Sequence, residues 1–130
     1  MSYLIDTNVA IHLRDRDIPI IRKLAELPAQ PAISVITRVE LEGGVYRDPA
    51  EALLVRGRVE AMLEDFQEIP FTTTEAIAYG RIIELCGFSR PRIVDRMIAA
   101  TAIVASATLI TLNPRDFRDI PGLVIEDWSD

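Results

Sequence analysis

Residues 93–112 read Ile-Val-Asp-Arg-Met-Ile-Ala-Ala-Thr-Ala-Ile-Val-Ala-Ser-Ala-Thr-Leu-Ile-Thr-Leu. From Met97 onward the segment is apolar almost all round a helical wheel, so a helix over Arg92–Ala105 is expected to be buried on most sides. The run Thr108–Leu112 is short, apolar and β-branched, which reads as a buried strand. Together Met97–Leu112 is too short for a membrane span, which needs about 20 residues, and it carries Thr101, Ser106 and Thr108. A buried helix feeding a buried strand is the signature of a layered α/β fold. One acid, Asp95, stands at the start of this helix, where an unpartnered carboxylate is costly.

The same alternation extends in both directions. Toward the N-terminus, Tyr3–Asp6 reads as a strand, with a helix from about Asn8 and, after Asp15-Arg16-Asp17, a second near Pro19–Leu27. Ala32–Val35 reads as a strand and Thr37–Arg47 as a helix. Asp48-Pro49 places an N-cap before a first-turn proline and opens a helix toward Asp65, weakened by Gly57. Phe66–Phe71 is a short strand. Thr72 and Glu75 have capping-box spacing for a helix that should stop near Gly87. Beyond Leu112, Asn113–Arg118 is a helical turn and Leu123–Glu126 a last strand. Strands alternating with helices imply right-handed crossovers, a mainly parallel sheet and helices on both faces. The expected fold is therefore a three-layer α/β/α sandwich.

The 130 residues suit a single domain spanning 1–130, and 49% hydrophobic residues support a packed core. The single cysteine, Cys86, excludes an internal disulfide and a cysteine zinc site, and it fits a reducing cytoplasm as a buried structural thiol. Asp6 interrupts the first apolar run and no basic segment precedes it, so no signal peptide is expected. Twenty acids against fourteen bases give a net charge of −6. That argues against a broad basic surface and is compatible with a carboxylate metal site. Thirteen of the bases are Arg, with Lys23 the exception. Arg suits bidentate phosphate contact, although a GC-rich genome produces the same bias.

In sheets of this kind ligands bind outside the carboxyl ends of the strands, where the strand order reverses. Asp6 ends the first strand, Glu40 lies one turn into the helix after the second, and Asn113 and Asp116 follow the fourth. Asp95 joins them if its helix starts at the same edge. Each has a plainer explanation. Asp6 can serve as an N-cap. Glu40 can close a capping box with Thr37. Asp95 can pair with Arg92 or Arg96, and Asp116 can be a loop acid paired with Arg118. Glu42, about 200° round the helix from Glu40, cannot share a site with it. The conjunction carries the argument: carboxylates gathered at one edge repel unless a cation neutralises them. Hard oxygen donors suit Mg²⁺ or Mn²⁺, one or two ions, which assist in-line hydrolysis of a phosphodiester. His12 is the only histidine, which excludes a histidine-based metal cluster, and it is expected to pack on the first helix. Gly43-Gly44 lacks the lysine and the strand–loop–helix setting of a phosphate loop.

These segments resemble the PIN-domain family, in particular its VapC-type toxins. Leu4-Ile5-Asp6-Thr7-Asn8 is similar to the family's first acidic motif. Ile33-Ser34-Val35-Ile36-Thr37-Arg38-Val39-Glu40-Leu41, Asp95-Arg96-Met97-Ile98-Ala99-Ala100 and Thr111-Leu112-Asn113-Pro114-Arg115-Asp116-Phe117 resemble the second, third and fourth. Gly122–Trp128 is similar to the last strand. The resemblance runs from Met1 to Trp128. It implies a flavodoxin-like sandwich and a metal-dependent endoribonuclease, with Asp6, Glu40 and Asp95 as metal ligands and Thr7, Asn8 and Thr111 orienting them. It also implies a homodimer and a VapB-type antitoxin that lays a helical segment into a groove and blocks the site. Many relatives carry Asp where this chain has Asn113, so Asp116 is taken as the fourth acid with Asn113 as its neutral neighbour.

RNA, with transfer RNA among the candidates, is the expected substrate. Arg38, Arg90, Arg92, Arg96 and Arg115 are the phosphate-contact candidates. The competing reading is a catalytically weakened PIN-like binding module, supported by Asn113. Leu4–Val9 also resembles the first motif of haloacid-dehalogenase-type phosphatases. That chemistry, like that of a phospho-receiver domain, wants a late lysine, and none follows Lys23.

Overall fold

A computed structural model describes residues 1–129 of the chain. Five strands form one sheet: β1 (Tyr3–Ile5), β2 (Ala32–Ser34), β3 (Gln67–Ile69), β4 (Thr108–Thr111) and β5 (Ile125–Asp127). Six helices connect them: α1 (Thr7–Arg14), α2 (Ile18–Glu26), α3 (Val35–Val45), α4 (Ala52–Leu63), α5 (Thr73–Cys86) and α6 (Ile93–Val104). Short 3₁₀ turns lie at Pro49–Glu51, Arg90–Arg92 and Pro114–Asp116. The strand order is β3-β2-β1-β4-β5, and every pairing is parallel.

Strand periodicity separates the two cores. Tyr3, Ile5, Ile33 and Ile110 face one side, where they pack with Val9 and Leu13 of α1, Ile20 of α2, Leu41 and Val45 of α3, and Val59 and Met62 of α4. Leu4, Ala32 and Leu109 face the other, against Ile82 of α5 and Ile98, Ala99, Ala100 and Ala102 of α6. α6 is buried at five consecutive positions, Ile98 to Ala102. Small residues there let it lie close to both the sheet and α5. The expected three-layer sandwich with a parallel sheet is therefore present. Its order, 3-2-1-4-5, reverses between β1 and β4, whereas flavodoxin's own order, 2-1-3-4-5, reverses between β1 and β3. Among the described residues no helix is long and apolar enough to cross a membrane.

Local signals account for most boundaries. The Thr72–Glu75 capping box forms, and α5 ends at Gly87, whose φ of 83° favours glycine. Asp48 caps the 3₁₀ turn at Pro49, and α4 proper starts only at Ala52. α3 begins two residues before Thr37, because Ser34 is the cap: its hydroxyl accepts from the Ile36 amide at 3.0 Å. His12 does not pack on its helix. It is exposed and bonded through Nδ1 to Asp17 Oδ2 at 2.7 Å, where Asp17 also caps α2. Cys86 is half-buried, with its thiol donating to the Asp119 carbonyl.

Candidate active site

The strand order reverses between β1 and β4, and four different elements bring the four acids to the carboxyl ends of the strands there. Asp6 directly follows β1 and is buried, with 4% of its surface exposed. It does cap α1, as its sequence position allowed, but through one oxygen only: Oδ1 accepts from the Val9 amide at 3.0 Å. The Thr111 hydroxyl at the end of β4 works against the effect of burial on its carboxyl. Thr111 Oγ1 in turn accepts from the Asn113 amide at 2.9 Å. Burial pushes the Asp6 carboxyl above its ordinary range, and the charge of Glu40 adds to this against the pull of the Thr111, Val9 and Asn8 bonds.

Glu40 sits on the exposed side of α3. It does not close a capping box, since Ser34 takes the cap and Thr37 lies inside the helix. Its Oε1 instead accepts from the Thr7 hydroxyl at 2.5 Å, across the gap between α3 and the start of α1. Glu42 points away, held by Arg56 at 2.5 Å and by Arg38 at 3.4 Å. Asp116 lies in the turn after β4, where Oδ2 accepts from the Asn113 side-chain amide at 2.8 Å. Asn113 thus aims the fourth acid. Asn8 is exposed on the first turn of α1, and no side-chain hydrogen bond among the described residues ties it to the carboxylates.

Asp95, in the first turn of α6, connects the set. Its carboxyl is pushed up to about 6, first by burial and then by the charges of Asp116, Asp6 and Glu40, with Arg92 opposing them. Asp95 therefore feels the charges of the other three acids at this edge. Arg96 is not the partner of Asp95. It is 2% exposed, and its guanidinium reaches Asp119 at 3.1 Å and the Gly87 carbonyl.

That placement corrects one expectation. Arg96 faces the interior and ties α6 to the segments around Gly87 and Asp119, so it is not a phosphate contact. Consecutive residues on a helix stand about 100° apart, so Arg96 turns inward when Asp95 faces the other acids. Arg38 is engaged by Glu68 through Nε at 2.7 and 2.9 Å. Arg92 leans on the Asp116 carbonyl at 3.4 Å. Arg90 and Arg115 are exposed and enter no ion pair among the described residues. Thr37 was missed as a site residue because its spacing from Glu40 matched a capping box. The better capping residue, Ser34, was the available signal against that reading.

The donor set consists of oxygen atoms throughout, which suits a hard divalent cation. The raised proton affinity of Asp6 and Asp95 is an electrostatic cost that a cation removes. Among the described residues no three His, Cys, Asp or Glu side chains stand close enough together, as the side chains are oriented, to hold a metal ion between them. Mg²⁺ takes one or two carboxylates directly and keeps several waters, so the arrangement fits it. A separate groove of about 740 Å³ opens at the opposite edge of the sheet, between α1, α2 and α4. It has an apolar wall including Leu24, Met62 and Phe66, and it carries Arg14, Arg16 and Arg58.

Comparison with known proteins places the chain in a family. The chain is 29% identical to Ribonuclease VapC2 of Rickettsia felis, with 99% of each covered. It is 32% identical to the tRNA(fMet)-specific endonuclease VapC of Salmonella typhimurium, with 98% of each covered. The structure of VapBC2 from Rickettsia felis bound to a DNA fragment from their promoter contains a chain that superposes with a TM-score of 0.87 at 27% identity, covering 99% of this chain and 100% of that one. The family described as PIN domain matches residues 3–123, a span that includes all four clustered carboxylates, and the chain belongs to that family.

Proposed function

We propose that the chain is a divalent-metal-dependent endoribonuclease that hydrolyses RNA phosphodiester bonds, acting as the toxin of a toxin–antitoxin pair in the cytoplasm. The observation that carries this reading is the placement of Asp6, Glu40, Asp95 and Asp116 at the β1/β4 reversal, with Asp95 raised first by burial and then by the charges of the other three. Ribonuclease and endonuclease names among relatives similar over the whole chain support it.

Asp6, Glu40 and Asp95 would hold the ion, directly or through the waters it keeps, with Asp116 completing the cluster. When bound there, Mg²⁺ or Mn²⁺ supplies Lewis acidity toward water and toward the phosphodiester oxygens. The chain's own part is positioning. Thr111 and the cap bond from Val9 fix Asp6, Thr7 fixes Glu40, and Asn113 fixes Asp116. Arg90 and Arg115 are placed to meet RNA phosphates beside this edge, which gives affinity without sequence choice. The role of Asn113 as a donor to Asp116 weakens the alternative of a disabled binding module, because the residue supports the cluster.

Solved relatives are described as VapBC complexes, which supports an antitoxin as the partner. The groove between α1, α2 and α4 suits an amphipathic helical segment with acids toward Arg14, Arg16 and Arg58. Because it opens at the edge opposite the carboxylates, a segment seated there must continue along α1 to cover them. That helix has eight residues, about 12 Å. A homodimer of the toxin belongs to the same reading.

The test is cleavage of total transfer RNA by the chain purified free of partner, with Mg²⁺ or Mn²⁺ against a chelator, beside Asp95→Asn. Metal-dependent cleavage lost in the variant supports the assignment. A folded, metal-supplied wild type inactive on several RNA pools overturns it.

A further inference from the structure

Thr37 is fully buried on the third residue of α3. A threonine inside a helix can return its hydroxyl to the carbonyl one turn back. Thr101 of α6 does so, donating to the Met97 carbonyl at 2.9 Å. Thr37 does not. Its Oγ1 lies 3.1 Å from Thr7 Oγ1, on a different element.

The direction of that bond follows from counting hydrogens. A hydroxyl carries one, and an ionised carboxylate can only accept. The Thr7 hydrogen is given to Glu40 Oε1. In the contact between the two threonines, Thr7 therefore accepts and Thr37 donates. The resulting chain runs Thr37 to Thr7 to Glu40, leaving α3 and returning to it one turn later. Glu40 is exposed, and without this tether its side chain would be free to swing.

We propose that Thr37 is a positioning residue: by donating to Thr7 it fixes the Thr7 hydroxyl as a donor, and this holds the Glu40 carboxylate over the cluster, ready to receive the cation. The inference rests on Glu40 being a cation ligand, as proposed above. Thr37 touches neither the cation nor RNA and acts only through Thr7. Outer hydrogen bonds of this kind are worth about 10–100-fold in metal affinity, and a second link in the chain should fall near the lower bound.

The experiment is calorimetric titration of Mn²⁺ into the full-length, antitoxin-free protein, with thermal melts in chelator to confirm folding. Thr37→Val removes the donor while keeping the shape, and about tenfold weaker Mn²⁺ binding is expected. Thr37→Ser keeps the donor and should bind as wild type does. In a Thr7→Val background, Thr37→Val should cause no further loss, because the route to Glu40 is already cut. If Thr37→Val does not fold, Thr37→Ala against Thr37→Ser gives the same comparison. Glu40→Gln separates the two levels. If it weakens Mn²⁺ binding while the donor-free Thr37 variant binds normally, the role of Thr37 is overturned and the ligand assignment stands. If Glu40→Gln leaves Mn²⁺ binding unchanged, the ligand assignment fails and this inference falls with it.

Discussion

Asp95→Asn should make the metal-free protein more stable, although it removes a charged group from the centre of the site. The carboxyl rises from 3.8 to about 6 in the folded chain. At about 1.4 kcal/mol per tenfold change in proton affinity, that is a ceiling of about 3 kcal/mol against the ionised form. Water reaches the site and screens the charges, so about 1–2 kcal/mol is the working figure. For a chain of this size it corresponds to a gain of about 3–8 °C in melting temperature. The sign with pH is fixed by linkage. The folded chain holds the proton more tightly than the unfolded one, so the penalty is full above about pH 6 and fades as the pH falls toward 3.8. Wild type and variant are melted in chelator at pH 7.5 and pH 4.5, and only their difference is read. The advantage of Asn should be largest at pH 7.5 and fall to about a third of that at pH 4.5. With Mn²⁺ at 100 times its Kd, the wild type gains about 2.7 kcal/mol and the variant much less, which reverses their order. A variant no more stable than wild type at pH 7.5 in chelator would refute the idea of mutually repelling carboxylates.

Asp6→Asn should retain the α1 cap, since Asn caps as well as Asp, and lose Mn²⁺ affinity. Asp6→Ala should lose the cap as well and melt lower than the Asn variant by about 1 kcal/mol in chelator. Arg96→Met leaves the Gly87 carbonyl without its donor and should cost about 1–3 kcal/mol by urea unfolding. RNA affinity per folded molecule should stay unchanged, and a loss would return Arg96 to the RNA surface. Arg115→Ala and Arg90→Ala should do the opposite, keeping stability and lowering the slope of log affinity against log salt by about 0.7–0.9 each, as removal of a phosphate contact requires.

The weakest part of the sequence reading concerned side chains with two chemically sound explanations. Asp6 was legible both as a cap and as a ligand, and the structure shows that one oxygen does the capping. Thr37 and Glu40 matched a capping box by spacing alone, but Ser34 begins the helix earlier and frees both for other bonds. Arg96 looked available because it adjoins Asp95 in the chain. On a helix that adjacency sends the two side chains to different surroundings.

Periodicity, caps and punctuation are local properties, and they were enough to determine the sequence of elements. Short continuous apolar runs marked β1, β2 and β4, the Thr72–Glu75 box and Gly87 bounded α5, and the apolar surface of residues 97–105 announced a buried helix. The order of acids along those elements also pointed to one sheet edge, because parallel strands end on the same side. Strand order, the direction of each hydrogen bond and the sharing of charge are not local. They depend on which side chains meet after β4 inserts beside β1, since only then does Thr111 reach Asp6 and the charge of Asp116 reach Asp95. The tertiary structure alone decided that Asp95 would be raised, that Arg96 would be buried and that Thr37 would stand behind Glu40, because each outcome depends on distances between residues far apart in the chain.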